Sequence, residues 1–108
     1  MRRCLQALVL LWPLALPVLA QVQTQPPVPL QCQRNGGAWQ PCQMVLEADG
    51  LHWRIDMAED LFEFRHDGRG SLSMRQGDQP WRLVEAHWRT DASLCWNGIC
   101  AKGPIPLD

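Results

Sequence analysis

From Cys32 to near the end of the chain, apolar and polar residues alternate with a period of two, and turn dipeptides interrupt the alternation about every eight to twelve residues. No window of helical length repeats apolar residues at three-to-four spacing, so the pattern predicts strands joined as hairpins. In CQMVLEADGLHWRIDM, a two-residue Asp49-Gly50 loop sets Met44 opposite Ile55, Leu46 opposite Trp53 and Ala48 opposite Leu51 on an apolar face. Glu47 then falls opposite His52 and Val45 opposite Arg54, and this agreement of turn chemistry with cross-strand pairing fixes the register. In LFEFRHDGRGSLSMRQ, a two-residue loop at Asp67-Gly68 would set Phe62 and Phe64 opposite serines. Parity therefore requires a three- or five-residue connection or a bulge, with Gly70 placed to take an unusual dihedral.

In WRLVEAHWRT, Trp81 and Trp88 are seven residues apart and would face opposite ways in a regular strand, so a bulge near Glu85 or burial on both faces is expected. The last residues, AKGPIPLD, predict an extended tail on the surface. About eight short strands result: an all-β antiparallel meander of hairpins closing as a barrel or sandwich, with its edges protected by closure.

The first twenty residues do not share this pattern. Met1-Arg2-Arg3 is a basic head, residues 5–19 are an apolar run interrupted by Pro13 and Pro17, and Val18-Leu19-Ala20 offers small residues at cleavage spacing. This reads as a signal peptide over residues 1–20, with Arg2-Arg3 also compatible with a twin-arginine route. Cys4 lies inside the removed segment, and no small-residue box precedes a cysteine at the cleavage point, so a lipid anchor is not expected. Residues 21–31, QVQTQPPVPLQ, read as a Gln/Pro-rich linker, and residues 32–108 as one β domain.

Removing residues 1–20 leaves 88 of the 108 residues, with eight basic against eleven acidic side chains. A net charge of −3 with Lys102 as the sole lysine gives no basic face for nucleic acid, and no basic amphipathic stretch suggests membrane insertion after cleavage.

Four cysteines remain, and in an exported domain of this size an even count reads as a disulfide framework. In CWNGIC, Asn97-Gly98 forms the two-residue turn of a hairpin, and Cys95 then directly faces Cys100 in a close, non-hydrogen-bonded pair suited to a disulfide. Cys32 and Cys42 are left for each other around the Asn35-Gly36-Gly37 turn. Zinc is the competing reading, but only the second pair has a zinc-knuckle spacing, and no Cys-x-x-Cys redox motif is present.

HWRID (52–56) and HWRTD (87–91) repeat one recipe. On strands, Trp53 and Trp88 would fill the core while His52, Arg54 and Asp56, and likewise His87, Arg89 and Asp91, face outward. Such trios most simply make a solvated face of cross-strand pairs, His52 with Glu47 among them. Their chemical alternative is a metal or acid-base site built from His52, His87 and nearby carboxylates. His66-Asp67 reads as turn chemistry, and Glu59, Asp60 and Glu63 are too sparse for a calcium loop. Ser71, Ser73 and Ser93 lack a nucleophile-elbow context. No catalytic residue and no cofactor is expected.

Trp96 stands beside the tip of the disulfide-clamped hairpin, where an exposed indole on a rigid loop makes a binding anchor. The sequence thus predicts a non-catalytic binding or inhibitory module that presents Trp96, Asn97, Gly98 and Ile99 to a protein or glycan of the cell envelope, in the periplasm or secreted. A metal-binding protein or metal-dependent enzyme and a structural envelope protein are the alternatives. SLCWNGICAKGPIPLD together with FRHDGRG resembles small exported cyanobacterial proteins of no assigned function, which implies no activity or site residues. An exported, disulfide-stapled β domain is also similar in fold to periplasmic lysozyme inhibitors.

Overall fold

The computed structural model describes residues 25–107; the signal peptide expected at residues 1–20 lies outside them. The strands are β1 (Val28–Arg34), β2 (Gln40–Leu46), β3 (His52–Met57), β4 (Asp60–His66), β5 (Leu72–Gln76), β6 (Arg82–Val84), β7 (Ala86–Trp88), β8 (Leu94–Trp96) and β9 (Ile99–Lys102). They form one sheet in the order β6-β5-β4-β3-β2-β1-β9-β8-β7, with every pairing antiparallel.

The two ends of that order, β6 and β7, are consecutive in sequence and separated only by Glu85. A single bent strand therefore pairs with β5 through its first half and with β8 through its second. The sheet curls into a nearly closed barrel in which this strand spans the seam. Neither a bulge nor two-sided burial accounts for Trp81 and Trp88. The register sets Val84 opposite Leu72 and Ala86 opposite Trp96, so the alternation continues unbroken through Glu85.

The hairpins follow the pattern read from the chain. Met44 faces Ile55, Val45 faces Arg54 and Leu46 faces Trp53. The loop is longer than two residues: the Glu47 N–H donates to the His52 carbonyl (2.9 Å) and the Gly50 N–H to the Glu47 carbonyl (2.9 Å), so residues 48–51 all lie outside the ladder. An even loop length keeps the register, and the Asp49 carboxylate holds the longer loop by accepting from the Leu51 N–H at 2.8 Å. Between β4 and β5 the connection is five residues long, because His66 faces Leu72 and Phe64 faces Met74. Gly70 takes the expected positive φ, 101°.

The β3–β4 turn gave no sequence signal. Met57 faces Asp60 across Ala58-Glu59, and Ala58 sits at φ 52°, where a β-carbon is disfavoured. Ala58→Gly is expected to stabilise the fold by about 0.5–1 kcal/mol, read as a higher urea midpoint at unchanged slope.

The linker expected over residues 21–31 needs correction. β1 begins at Val28, and Leu30 is 4 % exposed within the core. Pro29 is accommodated because the β9 ladder reaches only Gln31, and Pro41 because the β3 ladder begins at Gln43; each proline lies where its strand has one neighbour. The tail after β9 is not merely superficial, since Ile105 and Leu107 pack against the core.

Met44, Ile55, Phe62, Phe64, Met74 and Trp96, each at most 2 % exposed, fill the interior. Phe64 is its aromatic centre, stacked on Trp53 (5.5 Å between centroids, 9° between planes) and tilted against Trp96 (4.8 Å, 51°). Both expected disulfides form, Cys32–Cys42 with Cα atoms 5.8 Å apart and Cys95–Cys100 with Cα atoms 4.0 Å apart. The first lies within the core cluster; the second joins directly opposed residues across a turn in which Asn97 (φ 47°) and Gly98 (φ 92°) both take positive φ. Two disulfides belong to an oxidising, non-cytoplasmic environment. Among the described residues, no helix is long and apolar enough to cross a membrane.

Candidate functional site at the barrel mouth

The hairpin tip is not a free anchor. Trp96 is 1 % exposed and Ile99 4 %, and only Asn97 and Gly98 of the expected binding set reach solvent. The cause is the pairing of β9 with β1 and of β8 with β7, which leaves the hairpin with a neighbouring strand on each side. Trp96 thus points into the barrel against Phe64. The tip is tethered as well: the Asn35 N–H donates to the Gly98 carbonyl at 2.7 Å, docking one turn on the other.

The two HWRxD stretches are not equivalent. In β3, Trp53 is buried while Arg54 is exposed and ion-paired with Asp56 at 3.4 Å, as the alternation predicts. In the second stretch only His87 and Trp88 remain in a strand; Arg89 and Asp91 belong to the β7–β8 corner. Trp88, expected in the core, is 59 % exposed. Its register with Leu94 aims it inward, but β7 borders the seam and no strand covers its outer side.

His52 and His87 do not converge, since β3 and β7 are not neighbours in the sheet. His52 instead bonds Asp49 at 2.7 Å, and with Glu47 these side chains bring potential ligand atoms within 4.8 Å of one another. All three sit at the β2–β3 loop, and the Asp49–His52 bond explains their proximity as loop closure. The Leu51 N–H above all, and then the His52 ring, hold the Asp49 carboxyl below its ordinary value. In the same way the Arg69 and Ser71 N–H groups, donating at 2.7 and 3.0 Å, lower Asp67, which confirms the turn role read for His66-Asp67.

Ser93, wholly buried, is also structural. Its hydroxyl donates to Asp91 at 2.6 Å and accepts from the Arg89 Nε at 3.1 Å. The Ser93 hydroxyl first, then its N–H and the Arg89 guanidinium, hold the Asp91 carboxyl far below its ordinary 3.8. A depressed carboxylate stabilises the fold above the unfolded-state pKa, and that contribution is lost as pH falls through the folded-state value. Asp91→Asn should therefore lower the melting temperature at neutral pH, with the gap from wild type closing as pH drops below the ordinary 3.8, as followed by circular dichroism.

The bent strand creates the site that the residue pattern did not announce. At the end of the barrel where β3 starts and β4 ends lies a cavity of about 510 Å³. Trp53, Leu72, Leu94 and Trp96 line it from the core, Glu85 and Trp88 line it at the seam, and Leu107 of the tail reaches it. Trp53 carries a buried Nε1 donor that finds no acceptor among the described residues. A groove of about 570 Å³ beside β1 and β2 is larger, but its charged groups are engaged, Asp56 by Arg54 and Lys102 over the Trp39 ring at 4.2 Å. The one sequence signal for the mouth was the odd spacing of Trp81 and Trp88, which puts one indole on each face of a strand too short to cover both. No known protein family, curated protein or solved structure matches the chain.

Proposed function

We propose that the protein is an exported, non-catalytic binding module, periplasmic or secreted, that receives its ligand in the barrel-mouth pocket and not at the hairpin tip. The observation that carries this reading is Trp88, a large apolar side chain 59 % exposed at the rim of a cavity of about 510 Å³. An exposed indole beside a pocket costs solvation unless something covers it, and rigid aromatic anchors of this kind concentrate binding energy. The cavity has the size of small-ligand sites, and its lining sets the apolar Leu72, Trp88, Leu94 and Leu107 beside polar groups. Trp53, one of the lining residues, carries a buried donor without an acceptor among the described residues. Disulfide clamping and the bent closing strand hold the walls in place before binding, which limits the ordering cost. The ligand group is of small-molecule dimensions, whether free or projecting from a protein or glycan of the envelope.

Chemical-shift mapping of the isotope-labelled protein against a set of small aromatic and aliphatic fragments tests this directly. Perturbations should gather at Ala86, Trp88, Leu94 and Leu107, and Trp88→Ala should abolish them. Perturbations confined to Asn97 and Gly98, or found nowhere, would return the site to the hairpin tip or remove it.

A further inference from the structure

We propose that the mouth pocket takes an extended peptide, which adds as a strand to the open edge of β7 and seats aliphatic side chains in the cavity. This deepens the reading of the pocket as the binding site and rests on it.

The first argument is main-chain geometry. The β5–β6 ladder ends where Leu72 faces Val84, and the same register continued would set Gly70 opposite Ala86. Gly70 instead turns away at φ 101°, and the Asp67 carboxylate gathers the loop onto itself by accepting the Arg69 and Ser71 N–H groups. A gap therefore opens between this loop and β7, and Gly70, Ala86 and Trp88 all line the mouth cavity. The Arg89 N–H donates to the Ser93 carbonyl at 2.8 Å, so Arg89 and, two residues back, His87 turn their backbone groups toward β8. The N–H and C=O groups of Ala86 and Trp88 then point the other way, into the gap. No turn or loop backbone group among the described residues bonds them. This edge offers two donors and two acceptors on residues about 7 Å apart, the repeat of a β-strand. Ala86-His87-Trp88 also carries none of the lysine, proline or bulge that blunts exposed edges.

The second argument is the tail. Ile105 and Leu107 pack against the core while Pro104 and Pro106 are exposed, and Leu107 reaches the mouth cavity. A segment of chain with alternate aliphatic residues thus already lays one of them in the mouth. Its backbone bond is internal, from the Ile105 N–H to the Gly103 carbonyl at 2.8 Å, so the tail leaves the β7 edge vacant. A cavity of about 510 Å³ also remains beside Leu107. Residues paired with Ala86 and Trp88 would share their face of the sheet and point into that cavity. A peptide alternating aliphatic and polar residues satisfies the edge with its backbone and the cavity with its side chains.

The test titrates the labelled protein with acetyl-Thr-Leu-Thr-Leu-Thr-amide and, separately, with N-acetyl-leucine amide, which has the side chain without the strand. The peptide should bind at least about ten-fold more tightly. It should slow hydrogen exchange of the Ala86 and Trp88 amides and leave that of His87, already bonded to β8, unchanged. N-methylation of both leucine nitrogens, which donate to β7 in this register, should weaken the peptide about ten-fold; N-methylation of the central threonine, which faces away, should change it little. Equal binding of the peptide and N-acetyl-leucine amide, or equal weakening by the two methylations, would overturn strand addition while leaving the pocket as the site. Fragments that bind the mouth where the peptide does not would do the same, and failure of both would overturn both readings. Sedimentation velocity without peptide checks the other occupant: a dimer in which the Ala86 and Trp88 amides become protected as concentration rises would assign the edge to a second copy and overturn the peptide partner.

Discussion

Trp96→Ala is expected to destabilise the protein by about 3–5 kcal/mol, a large share of the stability of a domain of this size. Trp96 is 1 % exposed, contacts Phe64 at 4.8 Å between ring centroids, and faces Ile99 and Ala86 on its two flanking strands. Truncating it removes transfer energy and leaves a cavity that the barrel cannot collapse to fill, since the ring is held from three sides. It also removes one of the two aromatic contacts of Phe64, a geometry worth about 0.5–1.5 kcal/mol beyond its buried area. Urea denaturation reads the loss as a lower midpoint at constant slope. A change below about 1 kcal/mol, the range of surface substitutions, would mean that the indole is not in the core.

Reduction of both disulfides comes next, with an expected loss of about 4–6 kcal/mol if each loop contributes about 2–3 kcal/mol. Single-domain stabilities of about 5–15 kcal/mol make this a large share. The bridges do different work. Cys32–Cys42 lies in the core cluster and ties β1, the strand that must also hold β9, to β2. Cys95–Cys100 closes a hairpin that the Asn97-Gly98 turn already favours. Cys32→Ala with Cys42→Ala should therefore cost more than the equivalent change at Cys95 and Cys100. Thermal unfolding of the two double variants and of the reduced wild type checks the order, and peptide mapping without reduction checks the pairing.

What could be read from the chain was local. The register of β2 on β3 followed from parity, because Met44, Leu46, Trp53 and Ile55 share a face only in one alignment. Parity also excluded a two-residue β4–β5 loop, leaving three residues, five residues or a bulge, of which the structure has five, and the Cys95–Cys100 pairing followed from the turn between them. What escaped was long-range. Pairing of β1 with β9 joins residues about seventy apart and brings the clamped hairpin into the barrel wall, while pairing of β1 with β2 carries the strand back to Val28. The Gln and Pro content of residues 21–31 read as linker because a proline such as Pro29 is tolerated only where a strand has one neighbour, and the number of neighbours is not written in the chain. Trp88 was misplaced for the converse reason: its inward register was correct, but cover depends on a neighbouring strand, and at the seam none lies beside it. The candidate site is thus made by the break in the barrel, which no local pattern encodes. The His52 and His87 pair failed as a site because similarity of two strands in sequence does not make them adjacent in the sheet.

Acrylamide quenching of tryptophan fluorescence in wild type, Trp88→Phe and Trp96→Phe tests the central claim most directly. The readily quenched component should disappear in Trp88→Phe and persist in Trp96→Phe, because the indole at the mouth is open to solvent and the one beside the clamped turn is sealed inside the barrel. Loss of that component in Trp96→Phe, with Trp88→Phe unchanged, would contradict the account.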